Sequence, residues 1–220
     1  NRIYFWMFVL ISVGSMFIGN FLALRQNNIK RLLAYSSITH LGYLMIALLA
    51  EGKSGAHAAT FYLVSYFITI IIAFGAVTLV SGATQDAEKL QTYQGLFWQH
   101  PILSFMLLAS VLSLAGIPLT AGFIGKLYLV TVGVGSTLWF LVITLLLNSA
   151  ISLYYYLRVI VVMFTPNAAS LAGNDILELP KLPSFEAAVL MLLSLLLVWL
   201  GINPSPVLHF MENVTASLPP

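Results

Sequence analysis

The sequence lacks cysteine altogether and has very few charged residues. Without cysteine, the 220 residues cannot form disulfides, thiolate nucleophiles or thiolate metal ligands. Charged residues make up 7% of the chain and hydrophobic residues 60%, whereas a soluble domain has about 25% charged residues. This composition is typical of a protein embedded in a membrane.

Signatures of several other protein classes are missing too. The net charge is only +2 and no basic patch is present, so we expect no nucleic-acid partner. No two histidines are four residues apart, which leaves no pattern for a metal site. The segment GIPLTAGFIGK has neither the preceding strand nor the following hydroxyl of a phosphate-binding loop. We therefore predict no metal site and no phosphate-binding loop in this chain.

Apolar runs long enough to cross the roughly 30 Å hydrocarbon core, at about 20 residues each, recur along the chain. They lie near residues 3–24, 30–50, 58–82, 101–135, 137–164 and 185–203. The first run lacks a small-residue cleavage site and is predicted to be a spanning helix rather than a secretory signal. The sequence thus predicts an all-α polytopic membrane protein with about six transmembrane helices over residues 1–203, followed by an external tail at 204–220. A start at Asn1 also suggests a fragment of a longer protein.

The two longest connections, 81–100 and 165–184, both follow odd-numbered crossings and should share one side of the membrane. That side carries most of the basic residues, namely Arg25, Lys30, Arg31, Lys89, Arg158 and Lys181, against Arg2 and Lys53 on the other. Because cytoplasmic loops are enriched in Lys and Arg, we expect the first side to be cytoplasmic and both termini to be external.

The fourth apolar run is too long for one straight helix. About 35 residues would exceed the thickness of the membrane, and Gly116 and Pro118 fall near the middle, where proline removes a backbone donor. We predict two half-helices, about 101–115 and 121–136, with a break at 116–120. Irregular backbone at this depth is tolerated where it is buried in protein or lines a water-filled cavity.

Lys126 lies in the second of these half-helices, about 15 Å from the nearer surface by helical rise. Its stem reaches only about 6 Å, so a purely anchoring role at the interface is the weaker interpretation. A lysine at this depth costs about 2.5–3.5 kcal/mol on insertion scales and is expected to be functional. No carboxylate lies within a predicted helix core to pair with it. We predict that Lys126 transfers protons.

Polar side chains recur at helical spacing on three helices. The stripes comprise Ser36, Ser37, His40 and Tyr43; Tyr62, Ser65, Tyr66 and Thr69; and Thr144, Asn148, Ser152 and Tyr155 or Tyr156. Such residues often serve only to pack helices together, but three stripes beside a broken helix favour a hydrated internal axis. His40 is a candidate proton relay, and an inert hydrogen-bonded histidine is the alternative.

Four segments carry a resemblance to a known family: RQNNIKRLLAYSSITHLGYLMIALLA at 25–50, YQGLFWQHPIL at 93–103, LSLAGIPLTAGFIGKLYL at 112–129 and SAISLYYYLRVIVVMF at 149–164. They resemble the C-terminal half of the subunit N family of bacterial NADH:quinone oxidoreductase, respiratory complex I. The GIP…GFxGK pattern is shared with the wider family of antiporter-like membrane subunits, and YQGLFWQHP narrows the resemblance to subunit N.

The resemblance implies an inverted-repeat fold in which each repeat has a broken helix and a proton half-channel, this chain holding the second repeat and the last helix. Lys126 would then lie in the outward half-channel and His40 on the central polar axis. NADH, FMN, iron–sulfur clusters and quinone would be bound by other subunits, so the chain would be part of a translocase without redox chemistry of its own. Its implied partners are the missing N-terminal half, other membrane-arm subunits, protons and the lipid of a bacterial inner membrane.

Two alternatives remain open at the level of sequence. Multisubunit cation/proton antiporters and hydrogenase membrane subunits share the lysine on the broken helix. A structural fragment that packs its helices but conducts nothing is the alternative from a different class.

Overall fold

The computed structural model describes residues 2–50, 52–81, 87–166 and 184–206. These residues are almost entirely helical, and no strand is found among them beyond one isolated bridge between Asn28 and Lys89. The helices are α1 (Arg2–Leu24), α2 (Ile29–Leu49), α3 (Lys53–Val80), α4 (Leu96–Gln99), α5 (Pro101–Ala115), α6 (Ala121–Gly135), α7 (Trp139–Phe164) and α8 (Ser184–Ile202), with a 3₁₀ turn at Leu90–Tyr93. The prediction of an all-α membrane fold is confirmed.

Five of these helices, α1, α2, α3, α7 and α8, are long and apolar enough to span a membrane, and α5 and α6 are shorter apolar helices. The two short helices occupy the segments predicted for the halves of a broken helix. Helix α3 begins at Lys53, before the apolar run near 58–82. The first helical turn of α3 is polar and follows Gly52, which has φ 90°. Hydropathy alone therefore does not detect the start of this helix.

Helices α1 and α2 pack closely because small residues face each other. A Cβ added at Gly19 would lie 2.5 Å from the hydroxyl oxygen of Thr39. The Ser12 hydroxyl donates a hydrogen bond to the Gly42 carbonyl oxygen at 2.8 Å. The opposite face of α1 carries large exposed apolar side chains, including Ile3, Trp6 and Leu10, which suits contact with lipid or with further protein.

The connections at one end of the bundle are tied together by hydrogen bonds. The amide of Ile29 donates to the Glu88 carbonyl oxygen at 2.8 Å, and the Trp98 indole donates to the Phe164 carbonyl oxygen at 3.1 Å. The Arg158 guanidinium donates to the carbonyl oxygen of Gln26. The described parts of both long connections therefore lie at the same end, as the number of crossings predicts. Residues 82–86, the predicted basic position Lys181 and the tail from 207 onward lie outside the described residues.

A specific backbone geometry interrupts the helix between α5 and α6. Gly116 adopts a left-handed conformation with φ 79° directly after α5, a conformation that glycine reaches at little cost. Leu119 also has a positive φ, 75°. Helix α8 packs onto this segment, since a Cβ at Gly201 would lie 2.5 Å from the Leu119 carbonyl oxygen. The predicted break at 116–120 is therefore present and is held by a neighbouring helix.

Candidate functional site

Lys126 is bound by the end of the broken helix. Its Nζ donates hydrogen bonds to the carbonyl oxygens of Leu114 and Ala115, both at 3.0 Å, and to Ser149 Oγ at 2.9 Å. An ammonium group has three N–H donors, so each of them has an acceptor. The two carbonyls belong to the last turn of α5, where they lack intrahelical partners and form the negative end of the helix dipole. The break thus provides a site for a positive charge.

The surroundings of Lys126 are aromatic and apolar rather than acidic. The side chain is only 6% exposed, and its hydrogen-bond partners within the described residues include no carboxylate. Nζ lies 5.5 Å from the centroid of the Tyr43 ring, a distance at which a cation is attracted to the ring face. Within the part of the chain that the structure describes, the charge is therefore balanced by dipoles and by a ring, not by an ion pair.

A cavity of about 460 Å³ lies next to Lys126, bounded by the break, α6 and α7. Its wall is mostly apolar and includes Pro118, Leu127 and Leu146, the last two being partly exposed. Lys126 and Ser149 supply its polar side chains. The predicted cavity at the break is thus found, and it touches the lysine directly.

His40 lies between two tyrosine hydroxyls. Its Nδ1 is 2.7 Å from the Tyr62 hydroxyl oxygen, and its Nε2 is 3.3 Å from the Tyr156 hydroxyl oxygen. The ring stacks on Tyr66 with centroids 5.2 Å apart and meets the edge of Tyr43 at 5.5 Å. His40 is 4% exposed, so this histidine is buried among aromatic residues, two of which can exchange hydrogen bonds with it.

A small polar cavity, named for the polar residues that make up most of its lining, lies beside His40 and has a volume of about 10 Å³, room for at most one water molecule. Thr69 and Ser113 face each other across α3 and α5, with their hydroxyl oxygens 3.0 Å apart. The lining residues are His40, Tyr62, Ser65, Tyr66, Thr69, Ser113, Leu114 and Gly122. Leu114 also supplies a carbonyl to Lys126, so the two groups are linked through a single residue at the end of α5.

Other predicted polar residues form hydrogen bonds within their own helices. Ser36 and Ser37 both donate to the Leu33 carbonyl oxygen, at 2.8 and 2.9 Å. The remaining bonds of this kind run from Thr144 to Phe140, from Ser152 to Ser149 and from Ser65 to Tyr62. The stripes on α2 and α3 meet at His40, where Tyr156 of the α7 stripe joins them, whereas Asn148 and Tyr155 of α7 contact Asn20 on α1.

Sequence reasoning missed Asn20, Ser113 and Ser149. Asn20 on α1 is fully buried, and its Nδ2 donates to the carbonyl oxygen and Oδ1 of Asn148 at 2.8 and 2.9 Å. Its Oδ1 accepts from the Tyr155 hydroxyl at 2.9 Å. Asn20 could have been identified from sequence, because it is the sole side-chain amide in α1 and shares a helix face with Ser12. Ser149 follows Asn148 directly and points to a different neighbour, so the stripe pattern did not include it.

The fold and the site together define an antiporter-like polytopic membrane protein, in which an interrupted helix binds a buried lysine next to a polar cluster. The model of the family described as NADH:quinone oxidoreductase/Mrp antiporter, transmembrane region, matches residues 1–152. The chain belongs to this family.

Curated relatives are considerably longer than this chain. Subunit N of NADH-quinone oxidoreductase from Chromohalobacter salexigens is 44% identical over 216 residues, which is 96% of this chain and 45% of the relative. Subunit N from Ectopseudomonas mendocina is 45% identical over 211 residues, or 94% of this chain and 42% of the relative. The chain thus spans less than half the length of these relatives, and its resemblance to the subunit N family is confirmed.

Solved structures share the fold. A chain of respiratory complex I from Thermus thermophilus with bound aureothin is 34% identical with a TM-score of 0.78, covering 92% of this chain and 44% of that chain. A chain of an archaeal membrane-bound sulfane sulfur reductase is 25% identical with a TM-score of 0.84, covering 98% and 42%. The Mrp complex from Dietzia sp. has a chain with 21% identity and a TM-score of 0.81, covering 98% and 47%, and that likeness concerns the fold alone.

Proposed function

We propose that the full-length protein is a proton-translocating membrane-arm subunit of an NADH:quinone oxidoreductase, and that this chain provides its outward half-channel. The identity of 44% and 45% to relatives named subunit N supports this assignment. NADH, FMN, iron–sulfur clusters and quinone belong to other subunits in this proposal. The chain lies in a bacterial inner membrane, with residues 1–203 as the membrane domain, the basic loops in the cytoplasm, and both ends, including the tail 204–220, outside.

The binding of Lys126 by the broken end of α5 is the observation that carries this proposal. Two backbone carbonyls and one hydroxyl are already oriented toward the ammonium, so a proton bound there needs little reorganisation of its surroundings. Helix ends that point at a bound ion are a recurrent device of transporters with interrupted helices. The adjacent cavity then provides a route by which a released proton leaves the lysine.

His40 is the proposed donor on the inner side of Lys126. It reaches the small polar cavity from α2, while Leu114 bounds the same cavity from α5. One water molecule in that cavity would have hydroxyl groups of Ser65, Thr69 and Ser113 as partners. In this proposal a proton passes from His40 by way of these hydroxyl groups toward the end of α5, where the Leu114 carbonyl binds Lys126.

Substituting Lys126→Ala in the complete enzyme tests this function. We expect NADH-driven proton pumping into inverted membrane vesicles to fall, while the complex still assembles, because the residue that takes up and releases the proton is gone. Lys53→Ala is the matched control, since it also removes one lysine but from an exposed position at the start of α3. An assembled Lys126→Ala enzyme that pumps fully would refute the proposal.

A second candidate function is that of a cation/proton antiporter or hydrogenase membrane subunit. The structural likeness to a chain of the Mrp complex favours it at the level of fold. The two functions differ in their energy source, because an antiporter moves protons in response to a cation gradient without NADH. A third possibility, a fragment that conducts nothing, predicts that this chain alone gives liposomes no proton flux above background.

A further inference from the structure

We infer that Tyr62 and Tyr156 are the proton-transfer partners of His40, which passes protons from one ring nitrogen to the other by exchanging tautomers. This inference rests on the proposed function and adds two residues to the route. Tyr62 belongs to the predicted polar stripe of α3, and Tyr156 is one of the two residues predicted for the end of the α7 stripe. Tyr156 contacts the other ring nitrogen of His40.

The geometry gives each ring nitrogen one hydroxyl. A neutral imidazole has one donor nitrogen and one acceptor nitrogen, and a tyrosine hydroxyl can either donate or accept. Two arrangements are therefore compatible with the same heavy-atom positions. In one, Tyr156 donates to Nε2 while Nδ1 donates to Tyr62, and in the other both hydrogen bonds are reversed.

Conversion between these arrangements moves one proton across the ring. A proton arriving at the Tyr156 oxygen allows that hydroxyl to transfer its own proton to Nε2. Nδ1 gives its proton to the Tyr62 oxygen, and Tyr62 releases its original proton into the small polar cavity. The O–H and N–H bonds formed equal those broken, one proton enters and one leaves, and no electron is transferred.

The surroundings favour transfer by tautomer exchange over rotation of the side chain. Tyr66 stacks on one face of the ring, Tyr43 meets its edge, and only 4% of His40 is exposed. A ring held in this way cannot swing between distant donors and acceptors. Each passage also leaves His40 in the opposite tautomer, so the ring must be reset before the next proton moves in the same direction, as suits a pump that works in discrete cycles.

Phenylalanine substitutions in the complete enzyme test this relay, because they remove one hydroxyl and keep the ring. Tyr62→Phe and Tyr156→Phe should each lower NADH-driven proton pumping as far as Lys126→Ala does. Tyr93→Phe is the matched control: Tyr93 is as buried as Tyr156, but its hydroxyl donates to the Ala87 carbonyl oxygen at 2.9 Å and not to His40. We expect Tyr93→Phe to retain pumping.

A second measurement does not depend on removing a hydroxyl. Replacing one tyrosine with 3-fluorotyrosine changes the acidity of the hydroxyl with little change in shape, so the pumping rate should change at positions 62 and 156 and stay constant at position 93. Equal behaviour of all three positions would overturn the relay. If Lys126→Ala abolishes pumping while Tyr62→Phe and Tyr156→Phe pump normally, the relay is wrong and the proposed function stands. Full pumping by Lys126→Ala would instead remove the proposed function.

Discussion

Gly122→Ala should disable the charge site without touching the lysine itself. A Cβ at position 122 would lie 2.0 Å from the Ser113 carbonyl oxygen and 2.6 Å from its hydroxyl oxygen. Ordinary contacts begin near 3.4 Å, so α5 and α6 must separate by more than about 1 Å, and overpacking of this kind costs about 1–3 kcal/mol. The hydrogen bond of 3.1 Å from the Gly122 amide to Ser113 Oγ is lost as well.

The displacement reaches Lys126 because Leu114 and Ala115 directly follow Ser113. Their hydrogen bonds to Nζ are now 3.0 Å long, and a shift of that size takes them out of bonding range. We expect less assembled enzyme and, in the part that assembles, fewer protons pumped per NADH oxidised. Gly135→Ala is the matched control on the same helix, since its Cβ would meet nothing within 4 Å. A Gly122→Ala enzyme with normal assembly and normal pumping would show that the close contact of the half-helices does not maintain the lysine site.

Two further substitutions test the backbone of the break and the contact between α1 and α7. Gly116→Ala should lower the free energy of unfolding by about 1–2 kcal/mol, because the left-handed conformation is unfavourable for a residue with a Cβ. It should also reduce pumping, since that Cβ would lie 2.9 Å from Lys126 Cδ. Gly14→Ala, which has open space around it, should pump like the unmodified enzyme. Asn20→Leu should lower the temperature at which the enzyme loses half its activity, because it leaves Asn148 and the Tyr155 hydroxyl without this partner at about 1–3 kcal/mol. Asn148→Leu should destabilise the enzyme less in the Asn20→Leu background than in the unmodified enzyme. Strictly additive effects on stability would show that the two amides act independently.

The break and the position of Lys126 could be predicted from sequence because both depend on local chemistry. Gly116 and Pro118 limit the backbone directly, and α5 and α6 lie at the predicted half-helices. The depth of Lys126 follows from helical rise, and the lysine is indeed buried. Its partners were not predictable, since the carbonyls of Leu114 and Ala115 become available only through the three-dimensional path of the break.

The polar stripes show a different limit of sequence reasoning. Periodicity identifies the face on which a hydroxyl lies but not its acceptor, and Ser36 and Ser37 bond to their own helix. The pairing of Asn20 with Asn148 joins residues 128 positions apart, and no local pattern encodes such a distance. Ser149 was missed for a related reason: one helix can present adjacent residues to two different neighbours, so a stripe does not include every functional group.

The hydrogen bonds of Lys126 link its proton to the shape of the backbone. A charged amine donates three hydrogen bonds, but a neutral amine has only two protons to donate. When the proton leaves, both carbonyls can keep their hydrogen bonds if the Ser149 hydroxyl turns and donates to the lone pair of Nζ. The terminal carbonyls of α5 then bind an uncharged amine, and because charge-assisted hydrogen bonds are roughly twice as strong as neutral ones, the attachment of α6 to the end of α5 weakens. In the proposed mechanism, loss of the proton would therefore also change how firmly the two half-helices are joined at the segment on which α8 packs.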